Sequence, residues 1–266
     1  MAMREWGGSL HLTFRLLPTP SNNLKAFLES DGLAPAAVLA KLPYEARRGT
    51  NETATARRYR DGRQLYQTAG LLCEDAGHVR VTELGTTLAR WLDIMNDKNV
   101  VLLGRHAAYA LAACQLRNPS ETGSGYDPDV EVFPFSFIWR AMLQLGGRIS
   151  SEELDRSLFR VTNEDELGVA MADIQRARDA DDLSRLGTRT LGDNDRIIPW
   201  MSLASFGWTL IDDKRTTGTA YYQIHPGAVR LLRDAVQIRH KHRDFPSVRD
   251  YVTYVSDSAA LPPDLR

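Results

Sequence analysis

Residues 69–92 constrain the fold more than any other segment of the sequence. Two apolar runs, 71–73 and 79–81, flank a polar turn that contains Gly77, which is the pattern of a β-hairpin. Thr82 follows at once, and a threonine in this position caps the helix that begins after it. The buried face of that helix is predicted to carry Leu84, Leu88, Trp91 and Leu92. The segment therefore predicts a hairpin followed directly by a helix.

Three helices are predicted before this hairpin. The first two end at Gly32 and Pro43, since glycine favours the left-handed conformation after a helix and proline cannot continue one. The third begins near Asn51 or Thr53 and runs to Ala69. Apolar residues of the first two recur at helical spacing: Leu24, Phe27, Leu28, Val38, Leu39 and Leu42. The predicted order is helix, helix, helix, hairpin, helix.

The chain is long enough, at 266 residues, for two domains that each bury a core. An apolar helix at 99–116 is predicted to connect the halves, and residues 118–129 are rich in proline, glycine, serine and aspartate. We therefore predict one domain over 1–117, a linker over 118–129, and a second domain over 130–266.

The second half repeats the order of the first without repeating its sequence. After an apolar run, a helix opens at Ser150 with acidic residues in its first turn, and a further helix follows. Two alternating segments, 207–211 and 220–224, flank the polar stretch 212–218 and predict a second hairpin with its turn there. A closing helix is predicted over 228–240.

The run Ala-Gly-Leu-Leu at 69–72, a polar turn, and Val-Arg-Val-Thr-Glu-Leu-Gly at 79–85 resemble a known motif. They are similar to the recognition-helix end, wing and following helix of many prokaryotic winged-helix proteins. The whole chain resembles the tandem winged-helix recognition regions of modular restriction endonucleases and prokaryotic defence proteins. The resemblance implies a mainly α fold with small β-hairpins (α+β) and two winged-helix (helix-turn-helix) domains. Such proteins usually add a nuclease domain, which this chain is expected to lack.

Charge is segregated along the chain. The net charge of -1 is unfavourable for binding nucleic acid, because affinity for DNA comes mainly from neutralising phosphates. Residues 41–63, however, carry seven basic and three acidic residues, a net of +4. Acidic residues collect instead at 152–155, 164–166 and 179–182. A local basic surface is therefore predicted in the first half.

In a helix-turn-helix protein, the recognition helix lies in the major groove while the wing and helix ends hold phosphates. Helical spacing places Arg57, Arg60 and Arg63 along one side of the third helix, with Arg58 beside them. The predicted DNA contacts are Arg47, Arg48, Asn51, Thr53, Thr55, Arg57, Arg58, Arg60, Arg63, His78, Arg80, Lys214 and Arg215. The alternatives are a solvated charged face for the helix and merely exposed hairpins. The basic tract 239–243 fits either DNA contact or a cationic helix end.

No catalytic constellation occurs in the sequence. Asp129 and Glu131 superficially resemble the acidic pair of a metal-dependent nuclease, but the lysine expected two residues later is absent. The two cysteines, Cys73 and Cys114, show neither zinc-ligand nor disulfide spacing. We therefore expect no enzyme activity, metal or cofactor. The sequence has no membrane-spanning run or signal peptide, which predicts a cytoplasmic location.

Two functions of different classes remain. The first is double-stranded DNA binding and target-site recognition, as a regulator or as the recognition component of a restriction or phage-defence system, with catalysis supplied by a nuclease or ATPase subunit. The second is a non-catalytic adaptor that uses winged helices to bind a partner protein. DNA binding requires exposed arginines next to the hairpin, whereas an adaptor should present an apolar surface there.

Overall fold

The computed structural model describes residues 22–42, 59, 62–93, 97–120, 129–188, 198–205, 210–216 and 219–259. Over these residues the chain is mainly helical and contains two small antiparallel sheets. This confirms the predicted α+β class. Within the same ranges, every helix falls short of the length and apolarity needed to cross a membrane.

The first half follows the predicted order of helix, helix, helix, hairpin, helix. The elements are α1 (Asn22–Leu28), α2 (Pro35–Lys41), α3 (62–68), β1 (Leu72–Asp75), β2 (His78–Val81) and α4 (Glu83–Asp93). Tyr59 is also helical, and the residues between it and α2 lie outside the described part. Apolar side chains of α1, α2, α3 and the hairpin are buried together, as the helical spacing predicted.

The first hairpin, β1 and β2, turns at Ala76 and Gly77, with φ values of +48° and +77°. Two consecutive left-handed residues match the twist of a two-residue hairpin, and this is why glycine is favoured there. Thr82 then caps α4 as predicted, because its Oγ1 accepts a hydrogen bond from the Gly85 N–H at 3.1 Å. The same hydroxyl donates to the Gly70 carbonyl at 2.8 Å, which ties the start of α4 to the end of α3.

A long helix, α5 (Asp97–Ala113), leads to the second half. The elements there are α6 (Pro134–Gln144), β3 (Arg148–Ser150), α7 (Ser151–Arg156), α8 (Leu167–Asp179), α9 (Ile198–Ala204), β4 (Leu210–Thr216), β5 (Thr219–Ile224) and α10 (Val229–Gln237). Ser150 and Glu153 form a reciprocal capping box at the start of α7, which confirms the predicted helix start. The three strands form an antiparallel sheet in the order β3-β5-β4.

The second hairpin differs from its prediction. The stretch 212–218 was predicted as a turn, but residues 212–216 belong to β4, so Lys214 and Arg215 lie on a strand. Strand β4 is an edge of the three-stranded sheet, and edge strands commonly carry charged residues that block further pairing. The polar run that suggested a turn is therefore compatible with an edge strand.

The closing helix is also shorter than the predicted 228–240. Helix α10 ends at Gln237, and Ile238 already has an extended backbone, with φ -71° and ψ 111°. The basic tract 239–243 therefore follows the helix in non-helical backbone. The interpretation of that tract as a cationic helix end is wrong.

A last helix, α11 (Val248–Ser258), was not predicted and packs on the first half of the chain. It contacts α4, α5 and β1. The Tyr251 hydroxyl donates to the Thr68 carbonyl at 3.0 Å, and Arg249 pairs with Asp75 at 2.8 Å. One hydrophobic core thus includes residues from both halves. The division at 118–129 stays a prediction. By its contacts, α11 belongs with the elements that precede residue 118.

Candidate nucleic-acid interface

Most of the predicted basic surface lies outside the described residues. This applies to Arg47, Arg48, Asn51, Thr53, Thr55, Arg57, Arg58 and Arg60. Their proposed roles stay predictions. The structure does place Arg63, His78 and Arg80, together with the backbone of Lys214 and Arg215.

Arg63 lies on α3 and pairs with a carboxylate of the first hairpin. Its Nη1 is 2.6 Å from Glu74 Oε2, and the guanidinium lies 5.9 Å from the ring centre of Tyr59. The Tyr59 hydroxyl donates to the same carboxylate. Burial, reinforced by this hydrogen bond, raises the pKa of Tyr59 well above its usual range, so the phenol stays neutral. Arg63 therefore joins α3 to β1, and Glu74 offsets much of its charge.

The first hairpin is held in place along its β2 edge. The Gly32 N–H donates to the Val79 carbonyl and the Val79 N–H donates to the Leu33 carbonyl, both at 2.8 Å. The Val81 N–H donates to Asp31 Oδ1 at 2.9 Å. The loop between α1 and α2 thus extends the pairing of β2 on its outer side. Side chains on this hairpin are presented from a fixed backbone.

Two of the predicted contact residues are exposed on β2. His78 Nδ1 lies 3.0 Å from the Ala76 carbonyl oxygen. The Arg80 guanidinium passes over Gly32, 3.9 Å from where a Cβ would stand. Among the described residues, no carboxylate forms an ion pair with Arg80. Its charge is therefore available to a ligand.

Arg249 of α11 adds a cation that the sequence analysis missed. It is 67% exposed and pairs with Asp75 at the tip of β1. Burial, the largest effect, and the Asp75 carboxylate raise the pKa of the Cys73 thiol above its usual value, and Arg249 and Arg80 partly oppose that rise. Arg80 stands opposite Cys73 in the hairpin register, and Asp75, which pairs with Arg249, lies two residues farther along β1. The sequence did contain a signal for the start of α11, since Ser247 caps the helix by accepting a hydrogen bond from the Asp250 N–H. No local pattern indicated that α11 packs against the first hairpin.

The second hairpin carries the other two predicted residues. Lys214 and Arg215 stand between Asp213 and Thr216, where the register of β4 against β5 is interrupted. Their part in binding stays a prediction.

Acidic residues are exposed elsewhere, chiefly on and around α8. Glu166, Asp173, Asp179 and Asp181 belong to this region. In the described ranges, no group of three or more histidine, cysteine or acidic side chains is arranged to hold a metal ion. Glu131 of the acidic pair discussed above lies 3.9 Å from His242 Nδ1.

Over the described residues, the chain is a mainly helical α+β protein with two small antiparallel sheets. The fold is similar to that in the crystal structure of pyrene- and phenanthrene-modified DNA in complex with the BpuJ1 endonuclease binding domain. The TM-score is 0.58 and the sequence identity is 11%, with 92% of this chain and 93% of that chain covered. No protein-family model and no curated protein sequence matches the chain.

Proposed function

We propose that this chain binds double-stranded DNA and recognises a target site. The observation that carries the proposal is the combination of two features. The fold is similar, over 92% of the chain, to a domain crystallised with DNA, and the first hairpin presents an exposed Arg80 that forms no ion pair with any carboxylate of the described residues. Either feature alone is weak, because one fold serves many functions and exposed arginines are common.

In this proposal, the first half is a winged helix whose wing is the β1-β2 hairpin. Arg80 and His78 contact the phosphate backbone, and Arg249 supports them from α11. The segment that leads into α3 enters the major groove, where Arg57 and Arg60 read base edges. The second half forms a second winged helix, with Lys214 and Arg215 contacting phosphates. Arg63 and Arg249 have smaller roles than Arg80, because Glu74 and Asp75 already pair with them.

The adaptor alternative has little support in the described surface. Among the described side chains, the large apolar residues that are exposed are Val169 and Ile238. Val169 lies on α8 and Ile238 directly follows α10, both in the second half of the chain, whereas an adaptor would need a contiguous apolar patch at the first hairpin.

We further propose that the protein does not cleave DNA itself and works as a regulator or with a nuclease or ATPase subunit of a restriction or defence system. Incubation of plasmid DNA with the purified protein and magnesium or manganese should leave the plasmid intact. Reproducible cutting that is lost in a Glu131→Gln variant would contradict this.

The DNA-binding proposal is tested by one charge deletion on the hairpin and one elsewhere. We expect Arg80→Ala to weaken binding to a labelled random duplex by roughly fivefold, since an exposed cation contributes up to about 1 kcal/mol. Preferred and random duplexes should be affected equally, because phosphate contacts carry no sequence information. Arg176→Ala removes an equally exposed arginine from the acidic surface of α8 and should leave affinity unchanged. If both variants bind DNA with the affinity of the parent protein, the first hairpin is not part of the DNA interface.

A further inference from the structure

The segment 239–245 connects α10 to α11 outside any helix or strand, and we name it the strap. Exposed and partly buried residues alternate along its first five positions. Arg239, Lys241 and Arg243 are exposed, whereas His240 and His242 are partly buried between them. The strap therefore has a cationic outer face and an imidazole inner face.

The inner face is anchored on an aromatic cluster. His240 packs on the Phe133 ring with centroids 5.7 Å apart, and the Tyr254 hydroxyl lies 2.8 Å from its Nδ1. His242 meets the edge of the same Phe133 ring at 6.3 Å. Burial lowers the pKa of both imidazoles below the usual value, so both are neutral near pH 7.

The backbone of the strap is clamped by a single buried side chain. Gln115 is 1% exposed; its Nε2 donates to the Arg243 carbonyl at 2.8 Å, and its Oε1 accepts from the Arg243 N–H at 3.1 Å. The Arg243 guanidinium lies 3.9 Å from the ring centre of Tyr254. The strap is thus ordered in advance, which removes the entropy cost that a flexible basic segment would incur on binding.

The surroundings leave an excess of positive charge at the strap. Asp244 pairs with Arg117 at 2.9 Å, and Glu164 pairs with Arg140 while also accepting from the Phe133 N–H. The carboxylate nearest His242 belongs to Glu131. In the described part of the chain, no carboxylate forms an ion pair with Arg239 or Lys241, and Arg239 interacts electrostatically with the Glu164–Arg140 pair. The Arg243 guanidinium is instead stacked on the Tyr254 ring.

We propose that the strap is a second contact surface for the phosphate backbone of double-stranded DNA, placed where the two halves of the chain meet. The inference rests on the proposed function and extends it to a site outside both hairpins. Arg239 and Lys241 are exposed alternate residues of the strap. One DNA strand carries a charge for about every 3.4 Å of helix axis, so these two cations can face neighbouring phosphates of one strand.

The strap is suited to contact the sugar-phosphate backbone of DNA, and it offers no open ring face on which a base could stack. The aromatic rings beside it are already covered, because Arg243 lies over Tyr254 and over Phe245, at 5.2 Å from the latter. Proteins that bind single strands instead present open aromatic faces to the bases. The strap should accordingly contribute affinity without sequence preference.

The test compares two double variants that remove the same charge. Arg239→Ala with Lys241→Ala deletes two outward cations and leaves the stacked Arg243 in place. Arg230→Ala with Arg233→Ala deletes two exposed cations from α10 and serves as the matched control. Binding to a random duplex is measured across a salt series. Each phosphate contact contributes about 0.9 to the slope of log K against log salt. We expect the strap variant to lose about 1.8 from the slope and the control to keep the slope of the parent protein.

A strap variant with the slope and affinity of the parent protein overturns this inference and leaves the proposed function standing. A parent protein that binds no duplex at low salt overturns both. If the alanine variant melts at a lower temperature than the parent, the Arg239→Gln, Lys241→Gln variant replaces it, because glutamine removes the charge and keeps most of the side chain. The same slope criterion then decides the outcome.

Discussion

Replacing Gly70 by alanine tests how α11 is joined to the first half of the chain. Gly70 ends α3 with φ +74°: its N–H donates to the Gln67 carbonyl at 3.0 Å, and the Leu71 N–H donates to the Tyr66 carbonyl at 2.9 Å. This is the Schellman arrangement, in which glycine is favoured because the left-handed conformation costs other residues about 1 to 2 kcal/mol.

The second part of the cost comes from α11. A Cβ on residue 70 would stand 2.6 Å from Val255 Cγ1 and 2.9 Å from the Ser256 backbone nitrogen. A backbone atom cannot rotate away, so α11 has to shift, and overpacking of this kind costs about 1 to 3 kcal/mol. We therefore expect Gly70→Ala to lower the free energy of unfolding by roughly 2 to 5 kcal/mol.

Gly77→Ala is the matched control. Gly77 has φ +77°, and no heavy atom lies within 4 Å of its missing Cβ. Only the backbone strain applies there, about 1 to 2 kcal/mol. Urea titrations of the three proteins measure both losses, and a shifted midpoint with an unchanged slope identifies a change in stability. Equal losses for the two variants would refute the contact between α11 and the end of α3.

Three further predictions concern helix capping, pH and thiol reactivity. Thr82→Ala should cost about 1 kcal/mol in a urea titration, because it removes the cap of α4. The protein should become less stable as the pH drops from about 6.5 towards 5. His240 and His242 have lowered pKa values in the folded protein, so over this range the unfolded chain binds more protons than the folded chain. Melting temperatures across that range measure the loss. Burial raises the pKa of Cys114 to about 12 and also raises that of Cys73, so neither thiol of the folded protein should react readily with a disulfide reagent at pH 8.

Each of these predictions has a control. Thr86 is exposed on α4, and its replacement by alanine should leave stability nearly unchanged. The His240→Asn variant should show a weaker pH dependence than the parent protein. Both thiols should react at once in denaturing urea. The capping prediction fails if Thr82→Ala leaves the free energy of unfolding unchanged. The pH prediction fails if the melting temperature is constant over this range, and the thiol prediction fails if the folded protein is labelled quickly.

The first half of the fold was largely predictable because its signals are local. Gly77 marks the turn, Thr82 marks the helix start, and Gly32 and Pro43 mark two helix ends. Each of these residues affects only the backbone within one or two turns of its own position, so a single sequence is enough to predict the element boundary. The capping box at Ser150 is a further example from the second half.

The remaining features depend on partners far away in the sequence. Arg63 was predicted as a DNA contact, and only the folded structure shows that Glu74 of β1 binds it. Tyr251 and Val255 give 248–258 an apolar face, but the pattern does not indicate that this face meets α3 and α5. The closing helix was predicted to continue to His240 and ends instead at Gln237, because the contact that holds the strap comes from Gln115 in a distant segment. Such long-range contacts override local preference.

The most direct test of the central claim is selection of preferred duplexes from a random pool, followed by affinity measurements at one fixed salt concentration. If the chain recognises a target site, one sequence should be enriched, and the parent protein should bind it roughly a thousandfold or more tightly than random duplex. Affinity for the random duplex should fall steeply with added salt. No enriched sequence, or an enriched duplex bound no better than random DNA, would contradict target-site recognition; no binding to any duplex at low salt would contradict DNA binding altogether.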